Sequence, residues 1–164
     1  MHKTIYQSVR VVCLVITLFI TSQVIAQDVC VSGTVPVIGC FINSDDGNYD
    51  LTGDTTPTSG LSAIRFNDAD RNTFNYTGNI SSEAYGAMGV YLANSTFNNF
   101  TINGNINIGA LGLYGILAGP GTGNNTIIMN GNITTNRYAG YGYFNLHEDD
   151  TNFTLNGNIT TNGD

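Results

Sequence analysis

The densest group of side chains able to move protons is His147-Glu148-Asp149-Asp150. An imidazole beside three carboxylates could do acid–base work or help hold a cation, because histidine titrates near neutrality and carboxylates are hard oxygen ligands. The run lies between two apolar stretches, where a solvated turn is the simpler reading. Asp46, Asn48 and Asp50 have the alternate spacing with which a calcium loop opens. Leu51 stands where that loop requires glycine and Pro57 where its closing glutamate belongs, so no metal is expected there. Glycoside hydrolysis needs two carboxylates at a set separation. Apart from Asp164, the acids lie in the N-terminal portion and one later turn, and none recurs in register on a strand face. The two histidines, His2 and His147, sit in no Ser–His–Asp arrangement. No catalytic residue, cofactor or metal is nominated, and the expectation is a non-enzymatic chain.

Two further groups bear on binding. Tyr85, Tyr91, Tyr114, Tyr138, Tyr141 and Tyr143 gather around one recurring apolar stretch. Such rings could stack on sugars, but core filling or lateral packing is favoured. Eight Asn-x-Ser/Thr sequons, such as Asn99-Phe100-Thr101, follow from a repeated preference for Asn and Thr. They would matter in a eukaryotic secretory protein and are incidental in a bacterial one.

The elements that carry these residues begin after a leader. His2, Lys3 and Arg10 form a basic start, Val11 to Ile20 is an apolar run, and Val24-Ile25-Ala26 offers small or short residues for cleavage. That layout predicts a secretory signal peptide over residues 1–26, since the run is short for a membrane span. Cys13 lies inside the apolar run with no lipoprotein cleavage pattern before it. Loss of Lys3 and Arg10 takes the formal charge from −7 to −9 and leaves no lysine. A surface of that sign repels nucleic acid and anionic lipid, so neither is an expected partner, and the mature segment is not expected to insert in a membrane. Cys30 and Cys40 remain, and in an oxidising compartment they are expected to pair.

A repeat near 26 residues organises everything else. FNYTGNISS (74–82), FTINGNINI (100–108), IIMNGNITT (127–135) and FTLNGNITT (153–161) are copies of one motif. Their glycines Gly78, Gly104, Gly131 and Gly157 are 26, 27 and 26 apart, and a weaker copy, YDLTGDTT, places Gly53 a further 25 upstream. Each copy alternates: Phe100, Ile102, Gly104, Ile106 and Ile108 share one face, and Thr101, Asn103, Asn105 and Asn107 the other. Such alternation, rich in β-branched and aromatic residues, predicts a half-buried strand. Gly89, Gly115 and Gly142, each 11 residues after a motif glycine, introduce a second stretch (GVYLA, GILAG, GYFNL). Clusters of Asn, Gly, Ser, Thr and Asp between stretches read as turns.

One such unit has a single apolar face and cannot bury it alone. Stacked units can, each strand pairing with its counterpart one rung on. The prediction is all-β: a right-handed parallel β-helix of about five rungs of 25–27 residues. Equivalent residues then form columns, Asn103, Asn130 and Asn156 in one, Asn79, Asn105, Asn132 and Asn158 in another, whose amides can bond between rungs. The motif glycines mark a tight bend or a close backbone approach. The composition follows, with Asn, Thr and Gly filling 62 of 164 positions.

The leader, the NGNI-type rungs and the glycine before each second stretch resemble the passenger domain of a type V autotransporter, or a related pectin-lyase-like β-helix of Gram-negative surface proteins. The resemblance spans residues 49–164. It implies that residues 27–48, with Cys30 and Cys40, cap the first rung. It also implies export across the inner membrane, display on the outer membrane or release, and adhesion to host-surface or matrix glycans or proteins. Such a protein needs a C-terminal translocator barrel, which is missing before Asp164. The rungs are therefore expected to be truncated at their C-terminal end. The expected role is a scaffold or adhesive stalk, and the alternative is a carbohydrate-active β-helix, lyase- or hydrolase-like, without its catalytic rungs.

Overall fold

A computed structural model describes residues 28–137, 140–146 and 150–162. The signal peptide expected over residues 1–26, with Tyr138, His147, Glu148 and Asp149, lies outside the described residues. Within them there are sixteen short strands and no helix. The first of three parallel sheets contains β1 (Asp28–Val29), β3 (Cys40–Ile42), β5 (Ser62–Asn67), β8 (Met88–Ala93), β11 (Tyr114–Ala118) and β14 (Tyr141–Asn145), in that spatial order. The second runs through β2 (Gly33–Thr34), β4 (Asn48–Thr52), β6 (Thr73–Thr77), β9 (Asn99–Asn103), β12 (Thr126–Asn130) and β15 (Asn152–Asn156). The third stacks β7 (Ile80–Ser82), β10 (Ile106–Ile108), β13 (Ile133–Thr135) and β16 (Ile159–Thr161). The chain visits the sheets in turn, so it is a parallel β-solenoid of about four turns.

There are five motif copies but fewer closed turns, for two reasons. The copy around Gly157 supplies β15 and β16, and no first-sheet strand follows it among the described residues. In the copy around Gly53, a single pairing of Thr55 with Ile80 stands in place of a third-sheet strand.

The motif is also not one strand. Each of the last four copies divides into a five-residue and a three-residue strand that belong to different sheets, with the glycine and the next asparagine at the corner. The inward face survives because the corner takes up two positions: Phe100, Ile102, Ile106 and Ile108 are all buried. Strand register is strict, with Ile102 opposite Tyr76 and Met129, and Ile106 opposite Ile80 and Ile133. Like side chains therefore pack on like down the interior, and Phe66 sets its ring edge-on against Phe74 and Phe100 at 5.3 and 4.7 Å.

Two glycine columns serve this stacking differently. Gly104 has φ +150°, and a Cβ there would overlap the carbonyl oxygen of Gly78 in the preceding rung. Gly78 and Gly131 meet the same obstacle from the glycine carbonyl beneath them, so the corner needs both the conformation and the closeness. Gly115 and Gly142 instead leave room, since a Cβ on either would run into Ile133 or Ile159 on the third sheet. That second column keeps the first and third sheets in contact where they converge.

Candidate functional site

Cys30 and Cys40 are both buried and disulfide-bonded, with Cα atoms 5.0 Å apart, tying the residue after β1 to the start of β3. The expected exposed asparagine column runs along the corner between the second and third sheets. The backbone N–H of Asn105 donates to Asn79 Oδ1, that of Asn132 to Asn105 Oδ1 and that of Asn158 to Asn132 Oδ1, each at 3.0 Å. Asp54 begins the column, accepting from Asn79 N–H at 2.7 Å. The neighbouring Asn103, Asn130 and Asn156 link amide to amide at 2.8 Å.

A third column was not read from the sequence. Asn72, Asn98 and Asn125 are fully buried at the corner that leads from the first sheet to the second. Asn98 Oδ1 accepts from both Asn72 N–H (2.8 Å) and Asn72 Nδ2 (3.1 Å). Asn98 Nδ2 donates to Ala69 O (2.9 Å) and Asn125 Oδ1 (3.1 Å). Each side chain thus satisfies both a turn carbonyl and a backbone N–H of the preceding rung, as buried polar groups require. The signal available was position: each precedes the first inward residue of its motif (Phe74, Phe100, Ile127) by two.

The acids are engaged in similar work. Arg71 donates to Asp46 at 2.8 Å and reaches Asp45 at 3.4 Å, one rung below. The Arg71 guanidinium holds the Asp46 carboxyl below its ordinary range. Asn48 and Asp50 lie on β4, away from that contact, so the three residues with calcium-loop spacing do not converge as a loop. Asp70 accepts from Thr96 N–H at 2.7 Å and Asp68 from Asn94 Nδ2 at 3.1 Å, each again a rung apart. Among the described residues, no three His, Cys, Asp or Glu side chains gather as metal ligands.

The tyrosines divide between two environments. Tyr143 shares a column with Ile64, Val90 and Ile116 and lies flat on Phe153, with centroids 4.3 Å apart; burial pushes its hydroxyl pKa up. Tyr141, two residues earlier, is 44% exposed. The outer face of the first sheet carries Met88, Tyr91, Tyr114, Leu117, Tyr141 and Phe144. Tyr114 stacks on Tyr141 and Phe144 at 5.9 and 5.5 Å. Arg65 lies over Tyr91 at 5.5 Å, and Arg137 over the exposed Tyr85 at 5.9 Å. The outer positions of the third sheet are Ser81, Asn107, Thr134 and Thr160, and those of the second are mainly Asn and Thr. One face of three is therefore aromatic, with Arg65 and Arg137 set over its neighbouring tyrosine rings, a surface suited to apolar and cation–π contacts.

No protein-family model matches the chain, and neither a curated protein nor a solved structure matches it significantly.

Proposed function

We propose that this chain is an exported, non-enzymatic β-solenoid: the scaffold or adhesive stalk of a surface protein of the autotransporter type. The aromatic outer face of the first sheet carries the reading, because it differs from two faces lined by amides and hydroxyls. The roles of Asp46, Asp54, Asp68 and Asp70 between rungs favour architecture over hydrolysis. Export is supported by the layout of residues 1–26 and by a disulfide suited to an oxidising compartment.

The test is surface retention of the full chain on printed host glycans and on immobilised matrix glycoproteins. Retention that falls at least tenfold in a Tyr114→Ala, Tyr141→Ala double variant, with no new reducing ends released, supports the reading. Release of reducing ends would favour the carbohydrate-active alternative, and retention indifferent to both tyrosines would refute an adhesive face. An open reading frame that continues past Asp164 into a membrane barrel would support the autotransporter assignment, and a gene ending there would oppose it.

A further inference from the structure

The outer face of the second sheet is a two-dimensional array. Strands β4, β6, β9, β12 and β15 each turn three side chains outward, while the alternate positions, such as Phe100 and Ile102 of β9, face the core. Register is unbroken from strand to strand, so the outward residues align in three columns along the axis. The first column runs Asn48, Thr73, Asn99, Thr126, Asn152. The middle one runs Asp50, Asn75, Thr101, Ile128, Thr154, and the third opens with Thr52 and Thr77 and continues as the amide ladder from Asn103. Neighbours stand about 4.8 Å apart along a column and about 6.6 Å apart across columns, two residues along the strand. Asp50 is the single charged member, although the chain holds 12 acids, and no Lys or Arg is among them. No aromatic ring points outward here, so the face offers a sugar no stacking partner. Threonine and isoleucine are branched at Cβ and stiff at χ1, which orients their methyls and hydroxyls before any ligand arrives. Asn103, Asn130 and Asn156 are tied amide to amide at 2.8 Å, and side-chain ladders of this kind keep a stacked sheet from twisting.

A neutral, stiff, rectangular array of small polar groups is complementary to water that is itself in a lattice. The prism face of hexagonal ice repeats in two perpendicular directions, one slightly shorter than the rung spacing and the other slightly longer than the two-residue step. We propose that the outer face of the second sheet binds ice. Its hydroxyl and amide groups hold water in the positions of a surface layer, and the threonine methyls and Ile128 sit in the gaps between those waters. The chain adsorbs with its axis along the shorter repeat. First-layer water bridges protein to ligand nearly as well as a direct bond, and a face already fixed in conformation loses little freedom on adsorption. A charged side chain within the array would keep its own hydration shell and break the match, which accounts for the near absence of charge. Ice stops growing where chains are adsorbed. This activity lies on a different face from the aromatic surface of the first sheet and does not depend on it.

The test is capture of the full chain by ice grown slowly from dilute solution, with recrystallisation followed by cryomicroscopy. The native chain should be enriched in the ice at least tenfold over a folded acidic protein of similar size, and it should slow recrystallisation. Thr101→Lys sets a charge at the centre of the array and should lower capture at least tenfold, whereas the Tyr114→Ala, Tyr141→Ala double variant should be captured as well as the native chain. Exclusion of the native chain from ice overturns the proposal, and so does equal capture of a folded Thr101→Lys. Loss of capture in the folded tyrosine double variant assigns the activity to the wrong face and overturns it too. Circular dichroism checks that each variant is folded, and Asn99→Lys, in the first column, decides the matter in the same way if Thr101→Lys does not fold.

Discussion

Replacing Asn98 with alanine tests whether the buried amide column holds the solenoid together. The side chain makes four contacts, to Asn72 N–H, Asn72 Nδ2, Ala69 O and Asn125 Oδ1, between 2.8 and 3.1 Å. Two partners keep an alternative: Asn72 Nδ2 still reaches Ser44 O, and Asn125 Oδ1 still accepts the backbone N–H of residue 98. The Asn72 N–H and the Ala69 carbonyl lose the partner that Asn98 supplies. Each buried orphan costs about 1–3 kcal/mol, so Asn98→Ala should lose about 3–5 kcal/mol once the space left by the carboxamide is included. Asn105→Ala removes contacts of similar length in the exposed column, where water can replace them, and should cost about 1 kcal/mol or less. Urea unfolding followed by far-ultraviolet circular dichroism separates the two cases. With an m-value of about 1–3 kcal/mol/M, only the Asn98 midpoint should fall by more than about 1 M. Equal losses in the two variants, or a loss under about 1 kcal/mol for Asn98→Ala, would refute the reasoning.

Phe97 has φ +57° and is 58% exposed, while Asn124 holds the equivalent corner at φ 52°. A bulky residue there costs about 1–2 kcal/mol, so Phe97→Asn should gain about 0.5–1 kcal/mol and raise the thermal midpoint; a lowered midpoint would contradict the strain. Asp46 is ionised at a lower pH in the fold than in the unfolded chain, because Arg71 binds its charged form. Its contribution is therefore present above the unfolded value of 3.8 and lost as pH falls through the lower folded one. The thermal midpoints of the native chain and Asp46→Asn should converge in acid below that range, and a gap that stays constant or widens on acidification would count against the ion pair.

Much of this architecture was legible because a fixed period leaves little choice of fold. Glycines spaced 26 and 27 apart, each followed by asparagine, give both the rung length and the exposed amide column. The division of each motif between two sheets was hidden by the corner itself. Gly104 and Asn105 occupy two positions there, so Phe100, Ile102, Ile106 and Ile108 keep their parity across the bend. The buried asparagines were hidden differently, since Asn72, Asn98 and Asn125 stand in segments crowded with other turn-forming residues. Tyr141 and Tyr143 gather around the same apolar stretch, yet one faces solvent and the other packs on Phe153. Gly142 fits between them against Ile159, which leaves its neighbours on different faces. The candidate binding surface was thus visible as a composition, and its membership required the fold.

The parallel sheets have a mechanical consequence. Their backbone hydrogen bonds lie along the long axis, so tension between the two ends of the solenoid loads the outermost rung first and strips it strand by strand. A rung occupies about 4.8 Å of length while stacked. Its 26 or so residues span about 85–95 Å when drawn out. The molecule therefore behaves under tension as an extensible tether, giving slack one rung at a time and taking it back as rungs re-form on the template beneath them.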